Sequence, residues 1–434
     1  MFNPRQGALL SLVKWEENGV FSNLELNTVI SRTDAPKNDI SLYTLLFLGV
    51  IEKRLLLDFI ISKYSRIAIE EIDSQTKNAL RLGIYQLLFC DKIPDYSAVD
   101  ESVSLASKKT RGFVNAILRS FLRDNKRIDF PKDKWDRLSV EYSMPKEIID
   151  IFRESYGDEI AYSLCSIKSK KSPLCLRVNT LKTNIDEVVE MLLARLGSAE
   201  KSTLARDIVK TDLPISQLDD LISSGFVFVQ DESSRIASEV LLATSGENIA
   251  DVCACPGGKS FSIAIDMQNR GALYASDLHE SKLSLITKGA KKLGIDIIST
   301  RVQNAKEYKS DKDILFDKIL CDVPCSGLGV IFKKPDIKYK STDTYKNLPD
   351  IQYEILNSSS KYLKKGGVLV YSTCTLNRAE NEANIEKFLL ENDDFESYDF
   401  ELGDIKSSGG VYTFFPHITG TDGFFVSRVR KKDE

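Results

Sequence analysis

Cys374 closes an apolar run, Gly367-Val368-Leu369-Val370-Tyr371, that predicts a buried strand. A thiol at the carboxyl end of a core strand stands where open α/β sheets carry their chemistry, although most cysteines so placed are small core residues. A second thiol and an acid lie upstream in Asp322-Val323-Pro324-Cys325-Ser326-Gly327, at the end of the strand predicted over Lys318 to Asp322. Asp322 alone can also be read as a buried strand-end acid beside a turn proline. Cys325, Cys374 and Asp322 at adjoining strand ends, with no metal ligands near them, suit covalent catalysis on a polar planar substrate better than metal binding.

Further upstream a strand runs into Cys253-Ala254-Cys255-Pro256-Gly257-Gly258-Lys259, and a helix follows at once. Glycines without a β-carbon let the backbone approach a ligand closely, and the first N–H groups of a helix are open to receive it. The stretch has neither the spacing of a nucleotide P-loop nor a full GxGxxG pattern. By itself it is as well explained as a tight structural turn. Asp277 follows about 20 residues on, at the tip of the next strand, where an acid receives ribose hydroxyls. Turn and acid together predict a cofactor that contains adenosine.

These stretches need a scaffold. With 434 residues the chain is too long for one core, and 42% hydrophobic with 28% charged residues is ordinary for a globular protein. No apolar run is long enough to span a bilayer, and the first residues carry no basic-then-apolar leader, so no membrane partner is expected. The eight cysteines do not pair at metal-ligand spacings and only two histidines are present, so no metal is expected. Without a leader a disulfide framework is not expected either, which points to a reducing cytoplasmic setting. The net charge of -4 argues weakly against nucleic acid, but Ser104 to Arg137 holds ten Lys or Arg against four Asp or Glu, and binding depends on a patch.

Apolar residues recur at three and four positions from Gln6 to about Asn125, which predicts an all-α domain over residues 1–128. Asp39 or Ser41 is the predicted cap of its third helix, and Ser97 that of a helix starting near Ala98. At its end Lys108, Lys109 and Arg111 lead into a helix whose apolar face opposes Arg119 and Arg123; a solvated basic face is the usual meaning of such a pattern. Residues 129–164 read as a helical linker, with a helix from Pro145 closed by Gly157. Alternating strands and helices over 165–235 predict a small α+β module. Over 236–434 the rhythm is strand, turn, helix, with strands at 249–254, 272–276, 297–302, 318–322 and 368–372, which predicts a doubly wound, Rossmann-like parallel sheet.

Leu80-Arg81-Leu82-Gly83-Ile84-Tyr85-Gln86-Leu87-Leu88, Ile93-Pro94 and Phe113 to Arg119 resemble the NusB family of RNA-binding helical domains. Gln230 to Ser234, Asp251 to Lys259, Asp277, Asp322 to Gly329, Pro335 to Lys338, Tyr371 to Thr375, Glu380 to Glu382 and Thr421 to Phe425 together resemble the RNA cytosine-5 methyltransferases, specifically the RsmB/Sun branch. That branch joins a NusB-like domain to a Rossmann-like methyltransferase domain and modifies 16S ribosomal RNA.

The resemblance implies S-adenosylmethionine as cofactor, small-subunit rRNA or an assembly intermediate as partner, and cytosine 967 as target, in a monomer. It assigns Cys374 as the nucleophile on carbon 6 of the cytosine and Cys325 to its release. Asp322 would bind the cytosine edge, and Lys259 would support the thiolate electrostatically. Cys253, Ala254, Cys255, Pro256, Gly257, Gly258 and Lys259 would line the cofactor turn, with Asp277 at the ribose and Asp322 close by. Lys108, Lys109, Arg111, Arg119, Arg123 and Lys333 would meet RNA.

The chain departs from the family pattern at three places. Cys255 stands for an Ala, Asn304 for the Asp that meets the adenine amino group, and Phe332 with Lys333 for two Arg. Two other readings keep parts of this account: methylation of transfer RNA by a related enzyme, and a non-catalytic RNA-binding ribosome-assembly factor.

Overall fold

The computed structural model describes residues 2–167, 173–307 and 314–433. The chain forms two compact units. One comprises residues 1–168 with 331–340, the other 169–330 with 341–434.

The first unit is helical. Its central helix, Ser74–Phe89, is buried nearly all round, with Ala79, Leu80, Leu82 and Ile84 fully enclosed. A helix buried on nearly every side belongs at the middle of a bundle. Its one charged core residue, Arg81, is held by Asp58 at 2.6 Å and Glu16 at 3.2 Å. Burial opposes ionisation of Glu16, but Arg81 and Lys77 outweigh it and hold the carboxyl at about 2.

The helix Arg111–Arg123 buries Val114, Ile117, Leu118 and Phe121 and leaves Arg119 and Arg123 exposed. Residues 331–340, although remote in sequence, belong to this unit. Ser22 donates to Asp336 at 2.7 Å, and the buried Lys338 donates to the carbonyls of Glu52 and Ser143 at 3.0 and 2.9 Å.

Two predicted helix starts are corrected. The third helix begins at Lys37 behind Pro36, and the sixth at Asp95 behind Pro94, so Asp39, Ser41 and Ser97 lie inside the helices. Proline has its φ fixed and no N–H to leave unsatisfied, so it suits the entrance of a helix without a side-chain cap. Gly157, at φ +82 and ψ 170, interrupts the helix Lys146–Cys165 as its missing β-carbon permits.

The second unit begins with a small antiparallel sheet in the order Glu200–Lys201, Ile208–Thr211, Leu174–Val178, Val227–Val229. The larger sheet has eight strands among the described residues. Its parallel part runs Ile298–Val302, Ala272–Asp277, Asn248–Asp251, Phe316–Asp322, Leu363–Thr373. Phe424–Lys431 then adds antiparallel to the last of these.

Alternation along each strand builds two cores. Ile249, Leu273, Leu320 and Val370 pack with the helices Glu232–Val240, Gly258–Asp266 and Glu280–Leu293, whereas Ile319, Cys321, Leu369 and Tyr371 pack with Leu348–Ser360 and Glu382–Glu391. Burying each large side chain contributes roughly 1.5–3 kcal/mol. Both faces being covered is what a parallel sheet requires. The strand order turns back between Asn248–Asp251 and Phe316–Asp322, and ligands bind outside the carboxyl ends at such a switch point.

Candidate active site

The sheet brings three acids to that edge. Asp251, Asp277 and Asp322 end their respective strands, and Cys374 follows directly after Thr373, the last residue of the neighbouring strand.

At the turn after Asp251, Gly257 has φ +113, and a β-carbon there would meet the Phe261 ring at 2.7 Å. Only glycine fits both conditions. The helix Gly258–Asp266 starts immediately behind it. The turn is braced from the small sheet, because Gln230 donates to the Gly258 carbonyl at 3.0 Å and accepts from Ser262 at 2.7 Å. At the other end of the helix, Asp266 receives the buried Arg235 at 2.6 Å and Arg177 at 3.2 Å.

Asp277 accepts the backbone N–H of Cys255 at 3.3 Å and that of His279 at 3.0 Å, one on each oxygen, and lone pairs remain for further donors. Asn304 is turned into its own loop, accepting from Lys306 N at 3.2 Å and donating to Glu307 at 2.8 Å.

The thiols separate by environment. Burial pushes the Cys253 thiol well above its ordinary value, Cys255 to about 11 and Cys321 to about 12, so these three stay protonated at neutral pH. Cys325 and Cys374 are partly exposed, and their sulfurs are 3.1 Å apart. The Cys374 hydrogen bond, then burial, raises the Cys325 thiol.

Beside them Lys259 Nζ pairs with Asp322 Oδ2 at 2.7 Å, and Ser372 donates to Asp322 Oδ1 at 2.8 Å. Burial works against the Lys259 ammonium, but the Asp322 carboxylate outweighs it and keeps the charge in place. A cation held next to a thiol favours the thiolate. The loop from Asp322 is tied to Cys374 through Gly329 N, which donates to the Cys374 carbonyl at 3.0 Å; a β-carbon on Gly329 would stand 2.0 Å from the Gly423 carbonyl oxygen.

The basic residues lie in the helical unit. Lys108, Lys109, Arg111, Arg119, Arg123 and Lys333 are all exposed. Arg119 leans on Asn115 at 2.7 Å and Arg123 on Ser120 at 2.9 Å. Among the described residues no group of His, Cys, Asp or Glu could hold a metal ion, and no helix is long and apolar enough to cross a membrane.

Three family models match: the 16S rRNA methyltransferase RsmB/F over residues 238–430, NusB over 3–123, and the ferredoxin-like domain of RsmF/B-like methyltransferases over 144–216. A probable ribosomal RNA small subunit methyltransferase B of Bacillus subtilis is 36% identical over 99% of this chain and 98% of its own. The chain belongs to the RsmB/F family of 16S rRNA methyltransferases. A second relative of the same description, from Synechocystis sp., is 32% identical over 99% of this chain and 100% of its own. The crystal structure of PH0851 matches with a TM-score of 0.82 at 25% identity, covering 99% of both chains.

An RsmB/F methyltransferase draws on S-adenosylmethionine, and the residues here fit that group. Asp251 is fully buried; its Oδ2 accepts from Ser260 at 2.6 Å while Oδ1 has no hydrogen-bond partner. Burial raises its carboxyl to about 7. An orphaned buried carboxylate oxygen beside a glycine turn is suited to a cationic ligand. In the sequence Asp251 and Gln230 stand only as parts of longer motifs, and neither residue type signals its role there.

The sign of the Asp251 shift gives a prediction. The carboxyl is protonated in the fold between about pH 4 and 7 but ionised in the unfolded chain, so it weakens folding progressively as pH rises through that window. A cationic ligand favours the ionised form. Calorimetric affinity for S-adenosylmethionine is therefore expected to rise roughly five- to tenfold from pH 6 to 7 and to level off above. Asp251→Asn should flatten that dependence; a flat profile in the unaltered protein contradicts the assignment.

Proposed function

We propose that this chain transfers a methyl group to carbon 5 of a cytosine in 16S rRNA, cytosine 967 by resemblance, through a covalent bond between Cys374 and carbon 6. The observation that carries the reading is the 3.1 Å approach of the Cys325 and Cys374 sulfurs beside the Lys259–Asp322 pair. One thiol suffices to make a covalent bond. A second in contact with it suits an enzyme that must also break that bond.

Attack by the Cys374 thiolate forms the sulfur–carbon 6 bond and moves the electron pair of the carbon 5–carbon 6 double bond onto carbon 5. Asp322, which pairs with Lys259 and accepts from Ser372, hydrogen-bonds the cytosine edge and steadies the charge that moves into the ring. S-adenosylmethionine supplies the electrophilic methyl that carbon 5 takes. Loss of the carbon 5 proton to a water acting as base returns its electron pair to the ring double bond, breaks the sulfur–carbon 6 bond and expels the Cys374 thiolate. Cys325 stands in contact with that sulfur to assist the release.

Cys253 to Lys259 and Asp277 hold the cofactor, with Asn304 at the adenine. Lys108, Lys109, Arg111, Arg119, Arg123 and Lys333 meet phosphates. The thiol must reach the face of the base, so the target is unstacked or presented in a loop.

Bisulfite sequencing of ribosomal and transfer RNA from a deletion strain tests the reading. It predicts the loss of one 5-methylcytosine from 16S rRNA. Loss from transfer RNA alone, or no loss, contradicts it.

A further inference from the structure

Cys325 and Cys374 are 49 positions apart in sequence, yet their sulfurs lie in contact. The residues that hold this spacing are next door in each turn. Glu380 is completely buried. Its carboxylate accepts the Ser326 backbone N–H at 2.9 Å, the Ser326 hydroxyl at 2.5 Å, Gln352 Nε2 at 2.9 Å and Asn377 Nδ2 at 3.0 Å. The same Gln352 amide donates to the Pro324 carbonyl at 2.9 Å. The Ser326 hydroxyl also meets that of Thr375 at 2.7 Å. The turn carrying Cys325 is thus tied to one carboxylate directly at Ser326 and through Gln352 at Pro324.

Asn381 treats the other turn likewise. It accepts from Thr373 Oγ1 at 2.6 Å and donates to the Thr375 carbonyl at 3.0 Å, straddling Cys374. Tyr371, two residues before Thr373, donates to the Glu380 carbonyl at 2.6 Å. A buried carboxylate is costly to desolvate and persists only where its donors are all in place. Here the donors come from Ser326 beside Cys325, from Gln352 and from Asn377, although packing alone would be served by an apolar side chain.

We propose that Glu380 and Asn381 are positioning residues for the two-thiol reaction: Glu380 fixes the turn that bears Cys325, and Asn381 fixes the turn that bears Cys374. The inference rests on the cytosine chemistry proposed above and adds how the two sulfurs are kept at one separation for attack and release. A displacement of about 1 Å between reacting groups costs roughly a hundredfold in rate.

Glu380→Gln keeps the shape but sets an NH2 against donors at Ser326, Gln352 or Asn377. With the Cys374 turn still held by Asn381, attack proceeds and release lags. The expected result is a roughly ten- to hundredfold lower kcat, an unchanged KM for RNA, and a protein–RNA adduct that survives a denaturing gel. Asn381→Ala should instead lower the adduct yield when combined with Cys325→Ala.

A folded Glu380→Gln protein, with unaltered thermal unfolding and S-adenosylmethionine affinity, overturns the proposal if it turns over at the normal rate or loses activity without an adduct. Should that variant not fold, Ser326→Ala decides. It removes the hydroxyl contacts to Glu380 and Thr375 and should accumulate the same adduct; normal turnover without an adduct overturns the proposal. Cys325→Ala separates the two levels. If it traps an adduct while the Glu380 and Ser326 variants do not, only the positioning role fails. If it traps none, the cytosine chemistry fails and the positioning role with it.

Discussion

Cys374→Ala is expected to lower methyl transfer to unmethylated 16S RNA by at least about 10⁴-fold, the scale of losing a catalytic nucleophile. S-adenosylmethionine affinity should not change, because the glycine turn and Asp277 are built on other strands. The size of the effect follows from the environments of the other thiols near this edge of the sheet. Cys253, Cys255 and Cys321 are held protonated by burial and cannot substitute, and Cys325 is raised by its bond to Cys374 and by burial. Radiolabelled methyl transfer, read beside calorimetry with the cofactor, checks both halves. Activity retained above a hundredth of normal would remove Cys374 from the nucleophile's place.

The second large effect is expected at Cys325. Cys325→Ala removes the group in contact with the attacking sulfur and leaves the Lys259–Asp322 pair intact. Attack and methylation should still occur, and the covalent intermediate should persist. Multiple-turnover activity is expected to fall by about 10³-fold or more, with protein shifted to the mass of an RNA adduct in near-stoichiometric yield on unmethylated substrate. A drop in turnover without an adduct would remove Cys325 from the release step and contradict the covalent chemistry proposed for Cys374.

The parts of this protein that were legible in sequence are those whose cause is local. The strand ahead of Cys374 showed as an unbroken apolar run because both its faces are covered. The turn at Gly257-Gly258 showed because a left-handed backbone angle permits little else. The domain types followed from the change of period near residue 165.

Non-local features were not readable. Nothing near Glu380 announces that its donors sit 54 positions away at Ser326, or 28 away at Gln352. Lys338 looks like any surface lysine until residues 331–340 are seen to belong to the helical unit, where two carbonyls receive its ammonium and burial brings it down to about 8. The helices start at Lys37 and Asp95 with no side-chain cap, so a search for capping side chains points too far into them, to Asp39, Ser41 and Ser97. Asn304 was read from its place after a strand, yet its amide is spent partly on its own loop.

The central claim is a specific covalent bond, and the most direct measurement is the identity of the linked residue. Cys325→Ala protein incubated with S-adenosylmethionine and unmethylated 16S RNA, then digested with nuclease and protease and sequenced by mass spectrometry, should yield one peptide carrying a methylated cytidine on Cys374. A nucleotide on any other residue, or methylated RNA released with no linked peptide, would contradict the account.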